Sequence, residues 1–155
     1  MTAIGSSPEA ALENLELVEQ EPVTIEDGPE GKKDVVVRVK SAAVHWVDLL
    51  MMMGQYQHAP QMPYTPGMEF SGVVEAVGED VTHVKVGDEV FTDIFHSGPR
   101  SYDQRYQRNG GFATRALAPA HAIRLIPTGL DFDQAAVLGA SCCFTGVGVG
   151  CGGVW

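Results

Sequence analysis

The side chains of this chain that are capable of chemistry fall into four short stretches: His45-Trp46-Val47-Asp48, Gly54-Gln55-Tyr56, Gly67-Met68-Glu69, and a glycine-rich tail carrying Cys142, Cys143 and Cys151. Spacing alone tests two chemistries. A phosphate loop of the form G-x-G-x-x-G needs closely spaced glycines opening a helix, whereas Gly67, Gly72 and Gly78 are widely spaced in a valine-rich run. Such glycines bend or pack a sheet. The tail FTGVGVGCGGVW does contain G-x-G-x-G-G, but neither a following helix nor an acidic residue about 20 positions on is present in the sequence, so it is not read as a dinucleotide fingerprint. Metal chemistry has no better footing: the cysteines form no C-x-x-C, and His58, His83, His96 and His121 sit at turn-like positions without ligand spacing, as surface residues. Asp48 reads as a cap for its local turn. Glu69 reads either as a buried acid awaiting an arginine from outside this chain or as a hydrogen-bonded turn residue. Met51, Met52, Met53 and Met62 serve equally as a soft wall for a flat apolar ligand or as fillers of a core gap. His45, taken alone, is a core histidine beside Trp46.

Short β-branched runs separated by turn signals must position these groups: VVVRV at 35–39, SGVVEAV at 71–77, GDEVFTDIF at 87–95, GFATRALAP at 111–119 and HAIRLIP at 121–127. Their spacing predicts a mainly β barrel or sandwich. ELVEQEPV is expected to pair as a preceding strand, joined to the first run by a hairpin-like EDGPEGKKD at 26–34. WVDLLMMMG at 46–54 is straight-chained, apolar and closed by glycine, which predicts a short helix or turn. Residues 92–111 read as a long polar loop with little packing value of its own, of the kind that serves a site or a partner. A helix is predicted after Pro127, capped by Asp131 or Asp133 and continuing through FDQAAVLGA.

A net charge of −10 excludes a nucleic-acid or anionic-membrane surface. The first thirty residues hold eight acids and no Lys or Arg, so a solvated arm is expected there, mobile near its start. The scarcity and spacing of the cysteines fit a reducing compartment. The start of the sequence has no basic or apolar leader and no run long enough to span a bilayer, and a soluble cytoplasmic protein is expected.

In order and spacing, VRVKSAAVHWVDLLMMMGQY, MPYTPGMEFSGVVEAVGEDVTHVKVGDEVF and GGFATRALAPAHAIRLIPTGLDFDQAAVLGASCCFTG resemble the first half of the medium-chain dehydrogenase/reductase superfamily over about residues 15–146. The resemblance implies a GroES-like β-barrel with short helices, forming one wall of a cleft whose other wall, a Rossmann domain, is absent from this chain. It divides the sequence into an acidic arm at 1–14, a substrate-side catalytic domain at 15–140, and a truncated hinge toward a nucleotide-binding domain at 141–155.

Zinc-dependent members carry Cys where this chain has His45, and Gly-His-Glu where it has Gly67-Met68-Glu69. Ser141, next to Cys142, aligns with their third ligand, and no cysteine occupies 92–111, where their structural zinc lobe falls. The resemblance therefore implies the zinc-free quinone oxidoreductase branch: no metal, NADPH as cofactor, and hydride transfer to quinones or α,β-unsaturated carbonyls. His45 and Tyr56 become the candidate catalytic donors to the developing oxyanion, and Tyr56 and Thr145 the candidate cofactor contacts. The partner is a small molecule, with self-association into a homo-oligomer left open. Two alternatives stand beside this reading: an alcohol dehydrogenase relative with rewritten zinc ligands, and a truncated GroES-like module without catalysis.

Overall fold

The computed structural model describes residues 4–140, so Thr145, Ser141, Cys142 and the glycine-rich tail lie outside the described residues. Five strands form one antiparallel sheet: β1 (Asp34–Ala43), β2 (Glu69–Val77), β3 (Glu89–Thr92), β4 (Arg115–Pro119) and β5 (Ile123–Leu125), ordered β4-β1-β2-β3-β5. The edge strands β4 and β5 are joined by only three residues, Ala120–Ala122. Four Cα steps reach at most about 14 Å, whereas the edges of a flat five-stranded sheet stand about 19 Å apart. The sheet must therefore curl, and the result is the expected GroES-like barrel with few, short helices.

The five β-branched runs all became strands, with shorter bounds for β3 to β5. The continuous Val35-Val36-Val37 run needs both faces of β1 covered. Val35 and Val37 point into the barrel with Phe70, Val74, Val84, Val90, Ala116, Ala118 and Ile123. Val36 faces the other way, into a cluster with Leu117 and Tyr106 against which Val23 and Ile25 pack.

That second cluster explains two departures from expectation. Residues 16–23 form no strand; Leu17 and Val18 are exposed, and Val23, with Ile25 just beyond the segment, covers a sheet face instead of pairing along an edge. The 92–111 stretch is likewise more than a solvated loop. It holds a 3-10 turn at Gly98–Arg100 and α3 (Gln104–Arg108), numbered after α1 and α2 below, and buries Ile94, Ser97, Tyr106 and Gln107. Its anchor is Asp34, fully buried, which accepts 2.6 Å hydrogen bonds from the Tyr106 hydroxyl and the Arg105 guanidinium. A buried carboxylate needs such charge-assisted partners, and these two arrive from a segment whose polar composition conceals its packing role.

The acidic arm is also held. Ser7 caps α1 (Pro8–Glu13), and Ala11 is buried against Met52, Met53 and Tyr64. α2 (Trp46–Met52) ends as its glycine predicts: Gly54 has φ +66°, its N–H donates to Met51 and the Gln55 N–H donates to Leu50, a Schellman closure. α4 (Phe132–Ala136) starts at Asp131, which shares a reciprocal capping box with Gln134.

Gly72 and Gly78 lie where backbones touch; a Cβ on either would stand 2.1–2.2 Å from a carbonyl oxygen. Gly67 combines φ +97° with a Cβ position 2.5 Å from the Phe112 nitrogen. Gly129 has a similar φ of +95° with nothing within 4 Å. Gly67→Ala is therefore expected to cost about 3–5 kcal/mol, strain and overlap together, against about 1–2 kcal/mol for Gly129→Ala. Urea unfolding of the two variants checks this; equal losses would mean that contact at Gly67 adds nothing to its strain.

Candidate functional site

Of the residues singled out by chemistry, His45, Asp48, Met68 and Glu69 gather around the start of α2 and the turn that opens β2. His45 is the extended N-cap of α2, and its N–H donates to Asp48 Oδ2 at 3.0 Å. The other oxygen of Asp48 accepts the Gly67 N–H at 3.1 Å. One buried carboxylate thus ties the head of α2 to the turn before β2. Burial holds the Asp48 carboxyl above its ordinary value, opposed by the backbone donors of His45 and Gly67 and by the His45 charge.

Glu69 pairs with Ala43 across the β1–β2 ladder, two residues before His45. It is 1% exposed, and Oε1 accepts the Ala140 N–H at 2.7 Å. Of the readings available from sequence, the hydrogen-bonded acid is the one seen, with a backbone partner from beyond α4. Burial again dominates its pKa, which lies above the ordinary value; the backbone of Ala140 and the His45 charge oppose that shift.

The His45 imidazole itself is half-buried, and Nδ1 is shielded from solvent with no hydrogen-bond partner among the described residues. Tyr56 lies past the other end of α2, half-buried against a cluster of Met51, Met68, Ile94 and Ala140 that Val47 and Phe95 also touch. No hydrogen bond joins His45 to Tyr56 among the described residues; the structure places them at the two ends of one short helix. Met51, Met52, Met53 and Met68 are core residues, at most 9% exposed, so the first three act as gap fillers and not as a wall.

Met68, which the resemblance sets at the position of a zinc-ligating histidine, packs in this apolar cluster. No three His, Cys, Asp or Glu side chains among the described residues converge in metal-binding geometry. The donor set among the described residues does not fit a catalytic zinc, which needs three imidazole, thiolate or carboxylate ligands. A dinucleotide is only partly accommodated. The antiparallel sheet has no strand, glycine loop and helix in parallel βαβ order among the described residues, so a pyrophosphate has no cradle there. Tyr56 is the described residue offered for a cofactor contact.

Sequence reasoning missed Arg100. It sits on the Gly98–Arg100 turn with its Cζ 4.2 Å from the Phe95 ring centroid and 5.9 Å from that of Tyr56. The Gly98-Pro99 pair just before it, in a stretch otherwise read as solvated, was the available signal. Of the histidines expected at the surface, His83, His96 and His121 are exposed; His58 is half-buried beside the Tyr102 ring.

The raised pKa of Glu69 has a sign that can be measured. A folded carboxyl that holds its proton more tightly than the unfolded chain stabilises the fold fully below the ordinary value of 4.5, and that contribution is lost as pH rises through the higher folded-state value. Glu69→Gln keeps an oxygen for the Ala140 N–H and carries no charge to desolvate. The stability difference between variant and wild type should therefore move in favour of the variant from about pH 4 to about pH 8. A difference that stays constant with pH in urea melts would contradict the assignment.

Residues 31–128 match the alcohol dehydrogenase GroES-like domain family. Quinone oxidoreductase from Lama guanicoe is 37% identical over 139 residues, which is 90% of this chain and 37% of that protein. Quinone oxidoreductase from Pseudomonas syringae superposes with a TM-score of 0.65 at 31% identity, over 88% of this chain and 35% of that one. A mycobacterial protein solved in complex with NADPH superposes with a TM-score of 0.64 at 26% identity, over 87% of this chain and 35% of that one. The chain thus spans a little over a third of the length of these relatives. With the curled antiparallel sheet, the helix at 46–52 and the Gly-Met-Glu turn all in the family's order, the chain belongs to the alcohol dehydrogenase GroES-like domain family, on the quinone oxidoreductase branch of the medium-chain dehydrogenase/reductases.

Proposed function

We propose that residues 15–140 are the substrate-side wall of a zinc-independent reductase that uses NADPH to reduce quinones or α,β-unsaturated carbonyls, with 141–155 leading toward the nucleotide-binding unit. The observation that carries this reading is the His45 imidazole: its backbone is fixed by Asp48, yet Nδ1 of its ring has no hydrogen-bond partner among the described residues. NADPH, when bound, supplies a hydride, and reduction places negative charge on the substrate carbonyl oxygen. A donor preorganised toward that oxygen lowers the barrier. His45 or Tyr56 provides it. Tyr56 would also contact the cofactor, and Thr145, outside the described residues, is a second proposed contact.

Zinc independence rests on the inward thioether of Met68 and on the use of Asp48 and Glu69 as acceptors for backbone N–H groups. Both carboxylates are already engaged in holding the fold. What this wall contributes to catalysis is a neutral or cationic donor, and the GroES-like domain family membership and the quinone oxidoreductase relatives support the substrate class.

A chimera tests the reading: residues 31–128 replace the matching segment of the Pseudomonas syringae enzyme. The expected outcome is NADPH-dependent reduction of a naphthoquinone or an enone without bound zinc. His45→Gln or Tyr56→Phe should lower kcat about a hundredfold, with little change in KM, for whichever residue is the donor. A folded, NADPH-binding chimera that turns over neither substrate would overturn the function, and about one tightly held zinc per chain would overturn the metal-free assignment.

A further inference from the structure

Arg100 differs from the other arginines in its surroundings. Arg38, Arg105 and Arg115 pair with carboxylates, and Arg124 donates to backbone carbonyls. Arg108 is exposed. Arg100 is half-buried, and its guanidinium has no hydrogen bond or ion pair among the described residues, in a chain with twice as many acids as bases. Among the described residues its close partners are rings, with Cζ 4.2 Å from the Phe95 centroid and 5.9 Å from that of Tyr56. A cation–ring contact of this kind supplies no acceptor to the five N–H donors of a guanidinium, which lie in its plane. A planar fork of donors is suited to an oxyanion.

The placement is built in. Gly98 has φ +54°, and a Cβ there would stand 2.6 Å from the Gly67 carbonyl oxygen. The Ser97 hydroxyl donates to the Met68 carbonyl at 2.6 Å. The turn that carries Arg100 is thereby fastened to the Gly67–Met68 turn, which Asp48 ties to His45. A cation without an acidic partner is held beside Tyr56 by backbone contacts, where a merely solvated arginine would need none of this.

We propose that Arg100 is the anion-recognition residue of this site, its N–H edge taking an oxyanion group of the bound ligand while Phe95 supports its face. The proposal rests on the reading of this wall as a ligand-binding cleft. The oxyanion has two possible sources, a carboxylate on the substrate or a phosphate of the dinucleotide, and a binding experiment on the chain separates them. Anthraquinone-2-carboxylate, its neutral carboxamide and inorganic pyrophosphate are titrated against wild type, Arg100→Gln and Arg100→Lys, with thermal unfolding as the folding control.

The expected result for a substrate carboxylate is about tenfold tighter binding of the carboxylate than of the carboxamide. That preference should vanish in Arg100→Gln and return only in part in Arg100→Lys, which keeps the charge without the fork. Arg100-dependent binding of pyrophosphate, with no preference between the anthraquinones, identifies the phosphate as the source. Equal binding of the two anthraquinones, with no binding of pyrophosphate that depends on Arg100, overturns the proposal and leaves the quinone reading standing. Pyrophosphate binding through Arg100 without binding of either anthraquinone supports anion recognition and counts against the quinone reading. Absence of all binding overturns both.

Discussion

The Pro66–Met68 turn is the constraint on which the rest of this molecule depends. Three segments distant in sequence meet its backbone: Asp48 accepts the Gly67 N–H, Gly111 and Phe112 donate to the carbonyls of Gly67 and Pro66, and Ser97 donates to that of Met68. Buried backbone groups require partners, and here every partner comes from a different part of the chain. The approach is close enough that a side chain at Gly67 would overlap Phe112, and one at Gly98 would overlap Gly67. Helix α2, the Gly98–Arg100 turn and the entry to β4 are positioned relative to one another by this crossing.

From it follows a division of labour among the polar groups. Asp48, Glu69 and Ser97 are acceptors or donors for backbone, and their geometry is used up in joining segments. His45, Tyr56 and Arg100 take no such part, yet each is carried by an element that those bonds hold in place. Preorganisation of a binding wall has this form: the groups that face a ligand are supported by others whose own hydrogen bonds are complete.

Local relationships were legible in the sequence, and long-range ones were not. The valine runs of β1 and β2, the glycine that closes α2 and the cap at Asp131 announce themselves within a few residues. So does the Asp48 cap, three residues from His45. Arg105 and Tyr106 give no such sign, because the buried charge they satisfy is on Asp34, some seventy residues earlier. The bond from Ala140 to Glu69 spans a similar distance. The 16–23 segment misled for a related reason: Val23 covers a sheet face while Leu17 and Val18 stay exposed, and a β-like composition does not distinguish covering from pairing. Of the candidate site, the residue types and the family order placed His45 and Tyr56, while Arg100 stayed hidden because only a folded turn brings it to Phe95 and Tyr56.

The curled sheet is filled. Val35, Val37, Phe70, Val74, Val90 and Ile123 occupy its interior, and it therefore encloses no chamber. Such a barrel is a post and not a vessel. The α2 segment and the 93–111 crossing lie outside that interior, where residues can be exchanged without repacking the centre. Lineages built on this post are free to diverge in what they recognise while keeping one interior, and the same separation gives a protein engineer a surface to rewrite over a core that can be left untouched.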